Sequence, residues 1–186
     1  EAVKMLTAKG LISSRPRQGI RVLDKKHWNM FDTDVLDWIL AGTPDLYTLR
    51  HFLQLRASIE PQAAFLAAQF ATQDNIVQIE KALTRMKSAK DGKDDTLEAD
   101  IEFHKSVMEA TNNPFFIQLK NFIETALRVN IRFTNRRDAV TTDEFTAHKD
   151  ILDAIKQGKS QLAWDCAMKT QDATMSLANQ QIEKLQ

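Results

Sequence analysis

Several residues able to bind a cation or a carboxylate fall on the apolar faces of otherwise ordinary helices. In "LEADIEFHKSVM", residues 97–108, Leu97, Ile101, Val107 and Met108 recur at the three-and-four spacing of a core-facing helix. Asp100 and His104 share that face one turn apart, where an unpaired charge is costly to bury. A second stripe, Phe145, His148, Leu152 and Ile155, turns another histidine inward. Two imidazoles and a carboxylate on core faces of neighbouring helices form a donor set for one divalent cation. The alternative is structural: hydrogen-bonded core histidines and a buried Asp–His pair.

A third stripe, Leu46, Leu49, Leu53, Arg56, Glu60, Ala64 and Ala67, is interrupted by opposite charges four residues apart. These read either as an intrahelical ion pair at the edge of the core, or as a guanidinium oriented by Glu60 toward a ligand carboxylate. The last helix presents Gln171 and Thr170 as weak oxygen donors, and Cys166 as a small packing residue. His27 and His51 lie in turn-rich or exposed stretches and receive no role.

These residues require helices to position them. Apolar periodicity predicts helices over about 32–41, 45–71, 73–90, 94–111, 114–136, 142–157 and 159–184. Turn chemistry separates them at "AGTPD", "KDGKDD", "TNNP" and "QGKS". Pro61 should kink its helix without ending it, because "AAFLAAQFA" resumes the pattern. The expected fold class is therefore all-α, an antiparallel bundle of about seven helices.

The chain of 186 residues is 43% hydrophobic and 27% charged, a globular composition with room for one well-buried domain and a fragment of a second. One cysteine excludes an internal disulfide, and no apolar run approaches a bilayer span. A cytoplasmic protein with no membrane contact is expected. The formal net charge of zero conceals an asymmetry. Residues 1–26 carry seven Lys or Arg against two acids, a net +5 balanced by −5 elsewhere. A short basic piece on a larger acidic one suits a polyanionic partner.

That basic piece, "EAVKMLTAKGLISSRPRQGIRV", begins inside a helical pattern and continues into a Pro/Gly-tipped hairpin. It resembles the recognition helix and wing of the GntR superfamily of winged helix-turn-helix regulators. "WNMFDTDVLDWIL", "LRASIEPQAAFLAA", "ADIEFHKSVMEATNNP" and "AHKDILDAI" follow in the order of the FCD effector domain of the FadR-type branch. The resemblance implies a division into residues 1–23, the C-terminal part of a winged helix-turn-helix domain, a linker over 24–31, and a helical effector-binding and dimerisation domain over 32–186. It implies that Lys4, Arg15, Arg17 and Gly19 lie near operator DNA.

In metal-binding members an Asp and a His from one helix, with histidines from later helices, hold the ion. The matching positions here are Asp100, His104 and His148, with Gln171 where many members place the last histidine. Arg56 matches the arginine that faces the effector; Arg128 and Asn130 read either as further donors to the pocket or as part of a solvated face. Zinc is the expected ion, with nickel and manganese as alternatives. The function implied is a homodimeric, ligand-responsive repressor, not an enzyme, of an operon for sugar-acid or other organic-acid use. Two rivals remain at this point: a 2-His-1-carboxylate enzyme, and a metal-free bundle that senses an apolar effector.

Overall fold

The computed structural model describes residues 1–41, 46–134 and 141–184, with side chains at 40, 41, 46, 126, 129–134, 142, 181, 182 and 184 outside the description. Two compact units emerge, Glu1–Pro44 and Asp45–Gln186.

In the first unit α1 (Ala2–Ala8) leads into β1 (Ile12–Arg15) and β2 (Gly19–Val22), an antiparallel pair in which Ile12 faces Val22 and Arg15 faces Gly19. Arg17 at φ 64° and Gly19 at φ 72° form the tip, so the hairpin presents an arginine held in the left-handed region. A single 3-10 turn (Lys25–His27) and α2 (Thr33–Ala41) follow.

The segment between hairpin and α2 is packed back onto the end of α1. Asn29 N–H donates to Lys9 O at 2.9 Å, and Lys9 Nζ reaches Asp32 at 2.6 Å and Asp34 at 2.8 Å. Gly10 makes this approach feasible, for a Cβ on it would stand 2.1 Å from the His27 carbonyl oxygen, and its φ is 73°. Gly10→Ala is therefore expected to destabilise the first unit by about 2 kcal/mol or more. Urea denaturation read by fluorescence, in a variant keeping only Trp28, checks this; an unchanged midpoint would show that the linker yields instead.

The second unit is the expected helical bundle: α3 (Leu46–Phe70), α4 (Gln73–Lys90), α5 (Thr96–Ala110), α6 (Pro114–Gln118), α7 (Lys120–Thr134), α8 (Thr142–Lys156) and α9 (Ser160–Lys184). Pro61 lies inside α3 and does not end it. Helix starts follow capping chemistry. Thr72 and Thr141 form capping boxes with Asn75 and Glu144, Asp95 caps α5, and Asn113 caps α6 ahead of Pro114.

One difference from the sequence reading is that the helix expected over 114–136 is two helices, α6 and α7. Leu119 N–H bonds back to Phe116 O, a tightened turn that ends α6, and Ile123 N–H then bonds to Leu119 O as α7 begins. No glycine or proline marks the break, so periodicity runs through it.

The closest packing is of α3 on α9, α4 on α5 and α8 on α9, with α5 also against α3 and α7. Leu49, Leu53, Ala63, Ala64 and Ala67 of α3, Ile101, Phe103 and Met108 of α5, and Ala163 and Ala167 of α9 are buried. The small residues on α3 and α9 allow close helix approach, and this brings the polar residues of the same faces within reach of one another.

Candidate functional site

Arg56 and Glu60 on α3, His104 on α5, His148 on α8 and Gln171 on α9 are all buried, and Asp100 on α5 is half-buried beside them. Three ligand atoms converge. His148 Nε2 is 3.3 Å from Asp100 Oδ1 and 3.4 Å from His104 Nε2, and His104 Nε2 is 3.5 Å from Asp100 Oδ1.

The other nitrogen of each ring is already engaged. His104 Nδ1 lies 2.8 Å from Glu60 Oε2, and His148 Nδ1 lies 2.7 Å from the Glu144 carbonyl oxygen. Both partners only accept, so the Nδ1 protons are assigned by them. With only that proton on a ring, its Nε2 lone pair is left to face the centre, where Asp100 adds a third acceptor. Three acceptors facing one another repel unless a cation sits among them.

That cation is either a proton or a metal ion. An ion about 2.1 Å from each ligand sets neighbouring ligand atoms about 3.4 Å apart in a tetrahedron and about 3.0 Å apart in an octahedron. The observed triangle matches the tetrahedral spacing. The residues present thus fit a divalent ion of the zinc type, with further positions left for an external ligand.

In the metal-free protein the proton takes this place. Burial works against a charged imidazole, but Glu60 and then Asp100 outweigh it and raise the His104 pKa to about 9. Burial likewise favours the neutral acid at Glu60, yet Arg56 and His104 hold its pKa down at about 2. Asp100 is held well below the usual carboxylate range, loss of water being outweighed by His104 and His148.

The sign for stability follows. The His104 contribution is complete below its unfolded pKa near 6.5 and is lost as pH rises through about 9. The Glu60 contribution is present above its unfolded pKa near 4.5 and is lost as pH falls through about 2. The metal-free protein should therefore melt at lower temperature at pH 9 than at pH 6.5. A metal ion needs His104 Nε2 free of its proton, so the stabilisation by zinc should grow over the same interval. Calorimetric melts with zinc and with chelator at both pH values check this.

The remaining expected site residues fall in different places. Arg56 Nε and Nη2 donate to Glu60 at 2.5 and 3.3 Å, while its Nη1 is buried without a hydrogen-bond partner among the described residues. Gln171 donates its amide to Glu60 Oε2 at 2.6 Å, and so reaches the site through Glu60 and not as one of the three converging ligands. Thr170 lines a small cavity with Gln171, Glu60 and His104, while its hydroxyl donates to Cys166 O.

The Arg128 guanidinium is exposed and paired with Glu98 and Glu124. The side chain of Asn130 lies outside the described residues. Lys4 is exposed on α1, and Arg15, Arg17 and Gly19 are exposed at the hairpin tip. In the sequence Glu60 stands out only as the companion of Arg56. Its bond to His104 had no local signal, because the two residues come from different helices.

Comparison with known proteins identifies the family of the bundle. Residues 51–171 match the FCD domain family. The chain is 31% identical over 169 residues to the Galactonate operon transcriptional repressor of Escherichia coli (strain K12), covering 90% of this chain and 74% of that protein. It is 30% identical over 166 residues to the uncharacterized HTH-type transcriptional regulator YieP of the same organism, covering 88% and 71%. Among solved structures, Streptococcus agalactiae GntR superposes with a TM-score of 0.63 at 21% identity, covering 94% of this chain and 78% of that one.

The bundle is thus an FCD domain. The chain belongs to the GntR family of transcription regulators, a class of regulators and not of enzymes. Among the described residues, no helix is long and apolar enough to cross a membrane.

Proposed function

We propose that this chain is a ligand-responsive repressor whose bundle senses a small organic acid, a sugar acid first among them, at a zinc-type ion held by Asp100, His104 and His148. The observation that carries this reading is the triangle of ligand atoms next to a buried guanidinium with one unpartnered nitrogen. A buried donor without an acceptor is costly, so a ligand oxygen at Arg56 Nη1 relieves a penalty the protein already bears.

Charge supports a monoanion. With both histidines neutral, a divalent ion, Arg56, Glu60 and Asp100 leave one net positive charge, which a single carboxylate cancels. The ion would supply Lewis acidity toward carboxylate and hydroxyl oxygens, while Arg56 orients the carboxylate. An aldonate or hexuronate has both groups. The relative named as a galactonate operon repressor points the same way.

Residues 1–23 would read DNA as part of a winged helix-turn-helix domain, followed by the linker 24–31 and the sensing and dimerising domain 32–186. Lys4 lies on the helix that enters the major groove, and Arg15, Arg17 and Gly19 at the wing. A cytoplasmic homodimer presents two such units to two half-sites, and effector binding lowers operator affinity by favouring one of two states.

A thermal-shift screen of aldonates, hexuronates and dicarboxylates with zinc and with chelator tests the reading. A sugar acid that raises the melting temperature only with zinc, and releases the protein from its own promoter DNA in a mobility-shift assay, is the expected result. Sustained zinc-dependent turnover of the acid, or stabilisation by acyl chains alone, would overturn it.

A further inference from the structure

Three helices of the bundle meet at one carboxylate. Glu60 Oε1 accepts from Arg56 Nε at 2.5 Å, and Oε2 accepts from His104 Nδ1 at 2.8 Å, Gln171 Nε2 at 2.6 Å and Arg56 Nη2 at 3.3 Å. Oε2 thus carries three donors and Oε1 one, and the carboxylate stands at His104 Nδ1, whereas the ring atom that converges with Asp100 and His148 is Nε2. Glu60 is next to the ion site and is not one of its ligands.

We propose that Glu60 is the positioning residue of the ion site. It holds His104 Nδ1–H so that Nε2 faces Asp100 and His148, and it ties that ring to Arg56 and to α9. The inference rests on reading Asp100, His104 and His148 as a cation site.

His104 is the ligand most dependent on such support. His148 is anchored within its own helix by the Glu144 carbonyl. His104, by contrast, takes its orientation from a charged group on another helix. A carboxylate behind an imidazole fixes its tautomer and raises its basicity toward a metal, and loss of such a partner costs about 10–100-fold in metal affinity. Glu60 also accepts from Arg56 Nε and Nη2, so the same group that aims the ion's ligand fixes the guanidinium with Nη1 left over.

The test is a cobalt titration followed by visible absorption, with Co2+ alone as the probe. Glu60→Gln keeps the size of the side chain but sets an NH2 group against donors, so cobalt should bind about 10–100-fold more weakly while the tetrahedral absorption band keeps its shape. Because that variant deprives Arg56 of its counter-charge and can fail to fold, Glu60→Asp is measured as well. It keeps the charge and draws the carboxylate back by one methylene, and the same weakening is expected. In ion-loaded protein with 15N-labelled histidine, the His104 Nδ1 proton should move upfield in both variants.

Gln171→Met removes one donor from Oε2 without touching the His104 bond, and should leave cobalt affinity within about twofold of wild type. An equal loss in Gln171→Met would assign the effect to packing and overturn the proposal. So would wild-type affinity in both Glu60 variants. Failure of the wild-type protein to bind cobalt would instead overturn the reading of the ion site itself.

Discussion

Alanine at position 104 is expected to abolish ion binding, with zinc or cobalt affinity falling by about 100-fold or more, and to erase the stabilisation the ion confers. His104 supplies one of three ligand atoms, and the remaining pair, Asp100 Oδ1 and His148 Nε2, is 3.3 Å apart on two helices. Two ligands hold a borderline ion far less well than three. At an ion concentration 100 times Kd, binding to the folded state alone is worth about 2.7 kcal/mol. For a domain of this size that is a rise in melting temperature of about 5–10 °C.

The wild-type protein should show this rise on adding zinc and lose it with chelator, whereas His104→Ala should show neither change. The metal-free variant should also melt somewhat lower than metal-free wild type, because Glu60 and Asp100 each lose one of the groups that hold them ionised. Calorimetry with parallel metal analysis separates the two effects. Retention of a stoichiometric ion by His104→Ala would remove His104 from the ligand set.

The second large effect is at Arg56. Arg56→Met leaves the buried Glu60 carboxylate without its full-time cation, and breaking such a pair costs about 3–5 kcal/mol. Removing both charges is a different matter, because a buried ion pair replaced by apolar side chains of similar volume is often near neutral. Arg56→Met combined with Glu60→Met should therefore recover most of the loss. Urea denaturation of the chelated proteins checks this. A loss below about 1 kcal/mol for the single variant would show that the pair behaves as a solvated one. The same substitution removes the unpartnered Nη1, so response to a carboxylate effector should vanish in Arg56→Met even where zinc still binds.

Sequence pattern made the bundle legible because the core faces repeat at helical spacing and turn stretches such as "KDGKDD" and "TNNP" separate them. Thr72, Asp95, Asn113 and Thr141 each begin a helix by bonding its free backbone N–H groups, a local rule that needs no tertiary knowledge. The break at Leu119 was not legible. It arises from a tightened backbone turn inside an uninterrupted apolar pattern.

The site divides along the same line. Asp100, His104 and His148 stood out as polar groups on apolar stripes. Which nitrogen of each ring faces the centre depends on Glu60 and the Glu144 carbonyl, and only the packed helices bring Glu60 to His104. Gln171 shows the limit most plainly. Its position in the last helix suggests an oxygen donor, whereas the bond from its amide nitrogen to Glu60, 111 residues away in sequence, has no local signal. The pairing of Arg128 with Glu98, 30 residues upstream on another helix, is likewise invisible to helical spacing.

The four donors on Glu60 also bear on how the bundle opens. Detaching α9 removes Gln171, detaching α5 removes His104, and either leaves an ionised group short of partners in a region too apolar to solvate it. Fraying of one helix alone is penalised, so α3, α5 and α9 should behave as one cooperative unit. Native-state hydrogen exchange should then show the amides around Glu60, His104 and Gln171 exchanging through a common opening, while α1 and the hairpin, with few buried side chains, exchange independently. The polar cluster that prepares the protein for a ligand thus also sets the size of the piece that unfolds.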